Sequence, residues 1–105
     1  MATVKQGVKS FQGAFSELWL VTETVNFANA ATGSGTFASV DITVPNVAMG
    51  DVVFGISAGV DTIDAVIGGA VTAANIVTLT LLNNSAGAID LASTTLKFVV
   101  GRPGW

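Results

Sequence analysis

Asp61-Thr62-Ile63-Asp64 places two carboxylates three residues apart. Paired acids of this kind hold hard cations or work as the acid and base of glycoside hydrolysis. A calcium loop needs further oxygen ligands and a glycine at fixed spacing, and this stretch has neither. A solvated loop with two exposed acids is the simpler reading. Asp51 follows Gly50 and a Pro45-Asn46 turn. A carboxylate there accepts backbone N–H groups and locks a turn, a structural role rather than a catalytic one. Gly33-Ser34-Gly35 has no following lysine and no helix signal, so it is not a nucleotide loop. It reads as a flexible hairpin tip, as does Gly68-Gly69. Asn83-Asn84-Ser85 matches a glycosylation sequon, which matters only in a eukaryotic secretory route.

The wider inventory argues against chemistry. The chain has no Cys and no His. That removes disulfides, thiolate nucleophiles, the common metal ligands and the usual proton shuttle near neutral pH. Serines are present, but nothing is placed to activate them. We expect no enzyme activity, no catalytic residues, no metal and no cofactor.

Charge is scarce and segregated. Only 10% of the 105 residues are charged, while 50% are hydrophobic. Soluble designed surfaces carry about 25–35% charged residues. Between Lys9 and Lys97 stand all seven acids and no base. The net charge of −3 is unsuited to a phosphate backbone, so no nucleic-acid partner is expected. No apolar run reaches the ~20 residues of a bilayer span. The start lacks the apolar core of a secretion signal. The chain is therefore expected to begin at or near residue 1 and to remain in the cytoplasm where it is made.

Positioning elements follow from alternation. Ala38, Val40, Ile42 and Val44 oppose Phe37, Ser39, Asp41 and Thr43, a half-buried strand. Pro45-Asn46 ends it. Val52, Phe54 and Ile56 form the expected inward set of the next strand. Val71, Ala73, Val77, Leu79 and Leu81 share one parity. Leu96, Phe98 and Val100 mark a last strand. Ser16 to Phe27 also reads as a strand, but its apolar phase slips between Leu18/Leu20 and Val25/Phe27. A bulge near Val21–Thr24 would reconcile it. These strands predict an all-β fold, a single antiparallel β-sandwich, with a jelly-roll-like or small-barrel arrangement as variants.

Residues 1–15 are read as an N-terminal arm ahead of a 16–105 sandwich domain. They hold Lys5 and Lys9 and no acid. Phe11 and Phe15 would be the arm's anchors and the lysines its electrostatic handle. A frayed terminus whose phenylalanines cap the sandwich is the other reading. Arg102 and Trp105, at the end of a Pro/Gly segment, are residue types favoured in contacts. Lys5, Lys9, Phe11, Phe15, Arg102 and Trp105 are thus the candidate interaction residues.

Two stretches carry a family likeness. One is Val40-Asp41-Ile42-Thr43-Val44-Pro45-Asn46-Val47-Ala48-Met49-Gly50-Asp51-Val52-Val53. The other runs from Ala73-Ala74-Asn75-Ile76 through Asn83-Asn84-Ser85-Ala86-Gly87 to Val100. Over residues 37–100 the chain resembles the small β-sandwich virion proteins of tailed bacteriophages, the capsid decoration (cement) proteins and related head or tail accessory proteins. Asn46 departs from the glycine expected after the proline. The resemblance implies a structural role: a homotrimer, assembled in the host cytoplasm, that sits on the capsid surface and bridges major capsid protein subunits. A tail, fibre or head–tail position is the alternative. A carbohydrate-binding β-module is a more distant one. Neither a nucleic acid nor a membrane belongs to the expected partners.

Overall fold

The computed structural model describes residues 2–6, 14–27, 36–59, 65–83 and 93–104. Seven strands and no helix appear among them: β1 (Thr3–Gln6), β2 (Phe15–Val25), β3 (Thr36–Thr43), β4 (Val52–Ala58), β5 (Ala65–Ala73), β6 (Ile76–Asn83) and β7 (Thr94–Pro103). They form a four-stranded sheet, β1-β2-β7-β4, and a three-stranded sheet, β3-β6-β5. All pairings are antiparallel. The two sheets pack into a single β-sandwich, the expected fold class.

Period-two alternation builds the core. From the first sheet come Trp19, Val21 and Val25 on β2 and Leu96, Phe98 and Val100 on β7. Across from them lie Ile42, Val71, Val77, Leu79 and Leu81 of the second sheet. Trp19, Leu79, Leu96, Val77 and Val100 are wholly buried. Burial of side chains this large is the main favourable term in folding.

Three strands depart from the expected phase. In β2 the pairing with β7 runs unbroken from Glu17↔Arg102 to Val25↔Thr94, and the irregularity falls at Phe15/Glu17. No bulge occurs near Val21–Thr24. Trp19 and Val21 point inward with Val25, while Leu20 lies on the outer face and is partly exposed. The pattern misleads because Glu23 shares the inward parity. It is tolerated there because the sheets part beside β1 and β3, where Glu23 lines an open cleft.

In β4, Val53, Ile56 and Ala58 pack on the core, so Val52 and Phe54 are not in its inward set. The cause is a register shift between Phe54 and Ser57. Gly55 takes φ 65°, a left-handed backbone that glycine adopts without a Cβ penalty. This bulge reverses the parity of the strand's second half.

The 65–81 region is two strands, turned at Ala74–Asn75 with Ala73 opposite Ile76. Ala73 is exposed rather than inward. Asn75 takes φ 66°, the conformation asparagine tolerates best after glycine. Gly68-Gly69 is not a hairpin tip. Both residues lie in mid-β5, and a Cβ on Gly69 would stand 2.7 Å from Leu79 Cδ2. β5 is an outer strand of its sheet and carries neither charge nor proline.

Of residues 1–15, Thr3–Gln6 forms the margin strand β1 against β2, and Phe15 opens β2. Residues 7–13 lie outside the described residues.

The sandwich depends on its largest core side chain. Trp19→Ala is expected to lower the unfolding free energy by about 3–5 kcal/mol, read as a shifted urea midpoint with an unchanged slope.

Candidate functional site

Of the connections that cross between the sheets, the one from β3 to β4 is described along its whole length. Residues 44–51 carry the chain from β3 in one layer to β4 in the other. Pro45 stops β3, and Asn46 takes φ 77°, which explains why glycine is the residue expected there. Three elements hold this loop. From β2, Trp19 Nε1 donates to the Pro45 carbonyl at 3.1 Å. From the β5–β6 turn, Asn75 Oδ1 accepts from Asn46 N at 2.8 Å, and Asn75 N donates to the Val47 carbonyl at 3.0 Å. From β7, Arg102 Nε and Nη2 each reach a different oxygen of Asp51 at 3.0 Å. Arg102 Nη2 also donates to the Asn46 carbonyl at 2.9 Å.

Asp51 also closes the turn on itself. Ala48 N donates to Asp51 Oδ2 at 2.9 Å, and Asp51 N donates to the Ala48 carbonyl at 3.0 Å. The Asp51 side chain is only 4% exposed, against 41% for Arg102. The guanidinium stands 5.1 Å from the centre of the Trp19 ring, within cation–π range. The hydrogen bond that Arg102 donates to Asp51 raises the Arg102 pKa above its ordinary value; partial burial opposes this, and the charges of Asp51 and Glu17 add to it. Arg102 is thereby engaged within its own chain.

Phe15 is likewise seated on its own sheet. Its ring stacks on Phe54 at 5.3 Å between centroids and 18° between planes. It lies over Gly101, where an added Cβ would stand 2.6 Å from the ring. Gly101 thus supplies the floor on which Phe15 rests. Lys5 pairs with Leu20 on the β1 margin, and its side chain lies outside the described residues. Lys9, Phe11, Trp105 and the Asp61/Asp64 pair also lie outside them. Of the six candidate residues, Phe15 and Arg102 come from paired strands, Phe15 opposite Pro103, but their side chains go to different partners, Phe54 and Asp51.

What the sequence reading missed are the two outer faces of the sandwich. On the four-stranded sheet, register places Val52, Gly101 and Leu18 in one row and Phe54, Val99 and Leu20 in the next. Ser57, Lys97 and Thr22 follow in a third. On the three-stranded sheet the first row is Phe37, Leu82 and Val66, and the second is Ser39, Thr80 and Gly68. The third is Asp41, Thr78 and Ala70. Phe37 is 65% exposed, Val66 59% and Leu82 39%. Each face is apolar at one end; charge enters the four-stranded face at Lys97 and, on its β1 margin, at Lys5 opposite Leu20, and the three-stranded face at Asp41. The signal was present as Phe37, Val66 and Leu82 on the polar parity of their strands, but only register makes them neighbours.

A cleft of about 450 Å3 opens where the sheets part, lined by Ala2, Val4, Ile42 and Pro45 with Glu23 and Asp41 at its sides. Among the described aromatic residues, Phe37 is the one that stands mostly exposed, since Trp19 is wholly buried. No family model, curated protein or solved structure matches this chain.

Two substitutions test the architecture. Arg102→Lys keeps the charge and loses the fork; we expect a loss of about 1–2 kcal/mol, reduced by the solvent screening of its exposed side, measured by urea unfolding at neutral pH. Gly101→Ala must lift Phe15 off its seat. It is expected to cost about 1–3 kcal/mol and to change the near-ultraviolet aromatic dichroism while the far-ultraviolet strand signal stays.

Proposed function

We propose that this chain is a structural protein of a tailed-bacteriophage virion, a capsid decoration protein that binds the head and bridges its subunits. The observation that carries the reading is the pair of sparsely charged outer faces. Phe37, Val66 and Leu82 stand out from one side of the sandwich, and Leu20 and Val52 from the other. A lone soluble domain rarely leaves apolar side chains clustered on both sides; such clusters mark surfaces that other protein covers. The resemblance of residues 37–100 to cement and accessory virion proteins supplies the kind of assembly.

In this reading the protein acts by burying area and carries out no reaction. Its partners are sister copies, as a homotrimer, and the major capsid protein. It is made in the host cytoplasm and ends on the capsid surface. Each contact is weak, and repetition over a symmetric shell multiplies it through effective concentration.

The test is electron microscopy of gold-labelled protein mixed with capsids that lack a decoration layer. Label spread over the shell at repeating positions is expected, and Phe37→Asp is expected to reduce it about tenfold or more. Label confined to one vertex would assign the protein to a tail, fibre or head–tail position instead. Absence of binding to any phage particle would refute the reading.

A further inference from the structure

We infer that the outer margin of β5 pairs with the same strand of a second copy, so that two sandwiches join about a two-fold axis at Gly68 and their smaller sheets become one, in the order β3-β6-β5-β5-β6-β3. The inference goes beyond the virion reading. An isologous contact joins copies two by two, whereas the trimer of that reading needs a further surface.

The margins of the two sheets carry it first. A margin strand exposes unpaired backbone N–H and C=O groups, and folded proteins blunt it by shortness, charge, proline or a bulge. β1 has 4 residues and holds Lys5. β3 holds Asp41. β4 is broken in its middle by the register shift between Phe54 and Ser57. β5 has no such guard over Ala65–Val71. Its pairing with β6 is unbroken there, and the shift comes only between Val71 and Ala73. It holds no charged residue and no proline. Among the described residues no strand pairs with its outer side.

Register carries it second. Directly opposed residues of an antiparallel pair share a face, so a continuous sandwich needs inner residues opposite inner ones. Gly68 is the centre of the regular stretch Ala65–Val71. A half-turn about it sets Ala65 against Val71, Val66 against Ala70, Ile67 against Gly69 and Gly68 against itself. The inward residues Ala65, Ile67, Gly69 and Val71 then meet only one another. Every branched side chain meets a small residue, so the two strands interlock. Moving the axis to Gly69 would oppose Ile67 to Val71 and Gly69 to Gly69, crowding one pair and emptying another. It would also carry the pairing into the bulge. At the Gly68 axis the outer face is open, with nothing within 4 Å of the place a Cβ would take. A side chain introduced there is therefore accommodated within a single copy and felt only by the second.

Two measurements on the full chain test the inference. In sedimentation across a concentration series, wild type is expected to form species of even copy number. Gly68→Lys sets two ammonium groups face to face at the axis and is expected to weaken the pairing about tenfold or more. Far-ultraviolet dichroism checks that this variant keeps its strands. The second measurement does not depend on it. The chain has no cysteine of its own, so Gly68→Cys under oxidised glutathione is expected to give a disulfide-linked pair. Ala70→Cys, equally exposed, is expected to stay unlinked. In this register its two copies lie four strand positions apart, roughly 13 Å, beyond the reach of a disulfide. A monomer at every concentration, oligomers indifferent to a folded Gly68→Lys variant, or Ala70→Cys linking as readily as Gly68→Cys would overturn the inference. Capsid labelling decides the virion reading separately.

Discussion

The bidentate bond between Arg102 and Asp51 is the constraint on which the molecule turns. The chain must pass from one sheet to the other between β3 and β4, and a crossing loop exposes backbone polar groups near the core. Here Trp19, Asn75 and Arg102 reach the same short turn from three separate elements. Asp51 is nearly hidden and carries a charge. Such a group is stable only when paired and hydrogen-bonded, and it has both Arg102 and the Ala48 amide. The loop then fixes how β4 leaves it, and so which of β4's residues face outward.

From that fixed crossing the two faces follow. β4 joins β7 on the margin of the first sheet, and the Gly55 bulge turns Phe54 outward while Ile56 turns in. Phe15 then finds a ring to stack on and a glycine floor beneath it. On the other layer Phe37, Val66 and Leu82 stand exposed, with no such cover among the described residues. One face is thus partly finished by its own chain and the other left open.

Strand content and fold class were legible because β3, the inner parity of β6 and β7 alternate cleanly between apolar and polar residues. Three local features were not. Glu23 sits on the inner parity of β2, and only the parting of the sheets explains it. Gly55 reverses a strand's parity without any mark that distinguishes it from a strand glycine that does not. The Ala74–Asn75 turn lacks glycine and proline, so Val71, Ala73, Val77, Leu79 and Leu81 read as sharing one parity across a hairpin. Of the candidate contact residues, Phe15 and Arg102 are bound up inside the chain. The outer rows could not be read at all from one dimension, because residues 37, 66 and 82 become neighbours only through strand register.

β5 lies at the limit of its sheet with nine residues, two of them glycine, and no lysine or proline to discourage a stranger from pairing there. Lone copies at high density are therefore exposed to fibrous mispairing through that border. An added lysine or proline on that border is where the sequence would most readily be guarded against such growth.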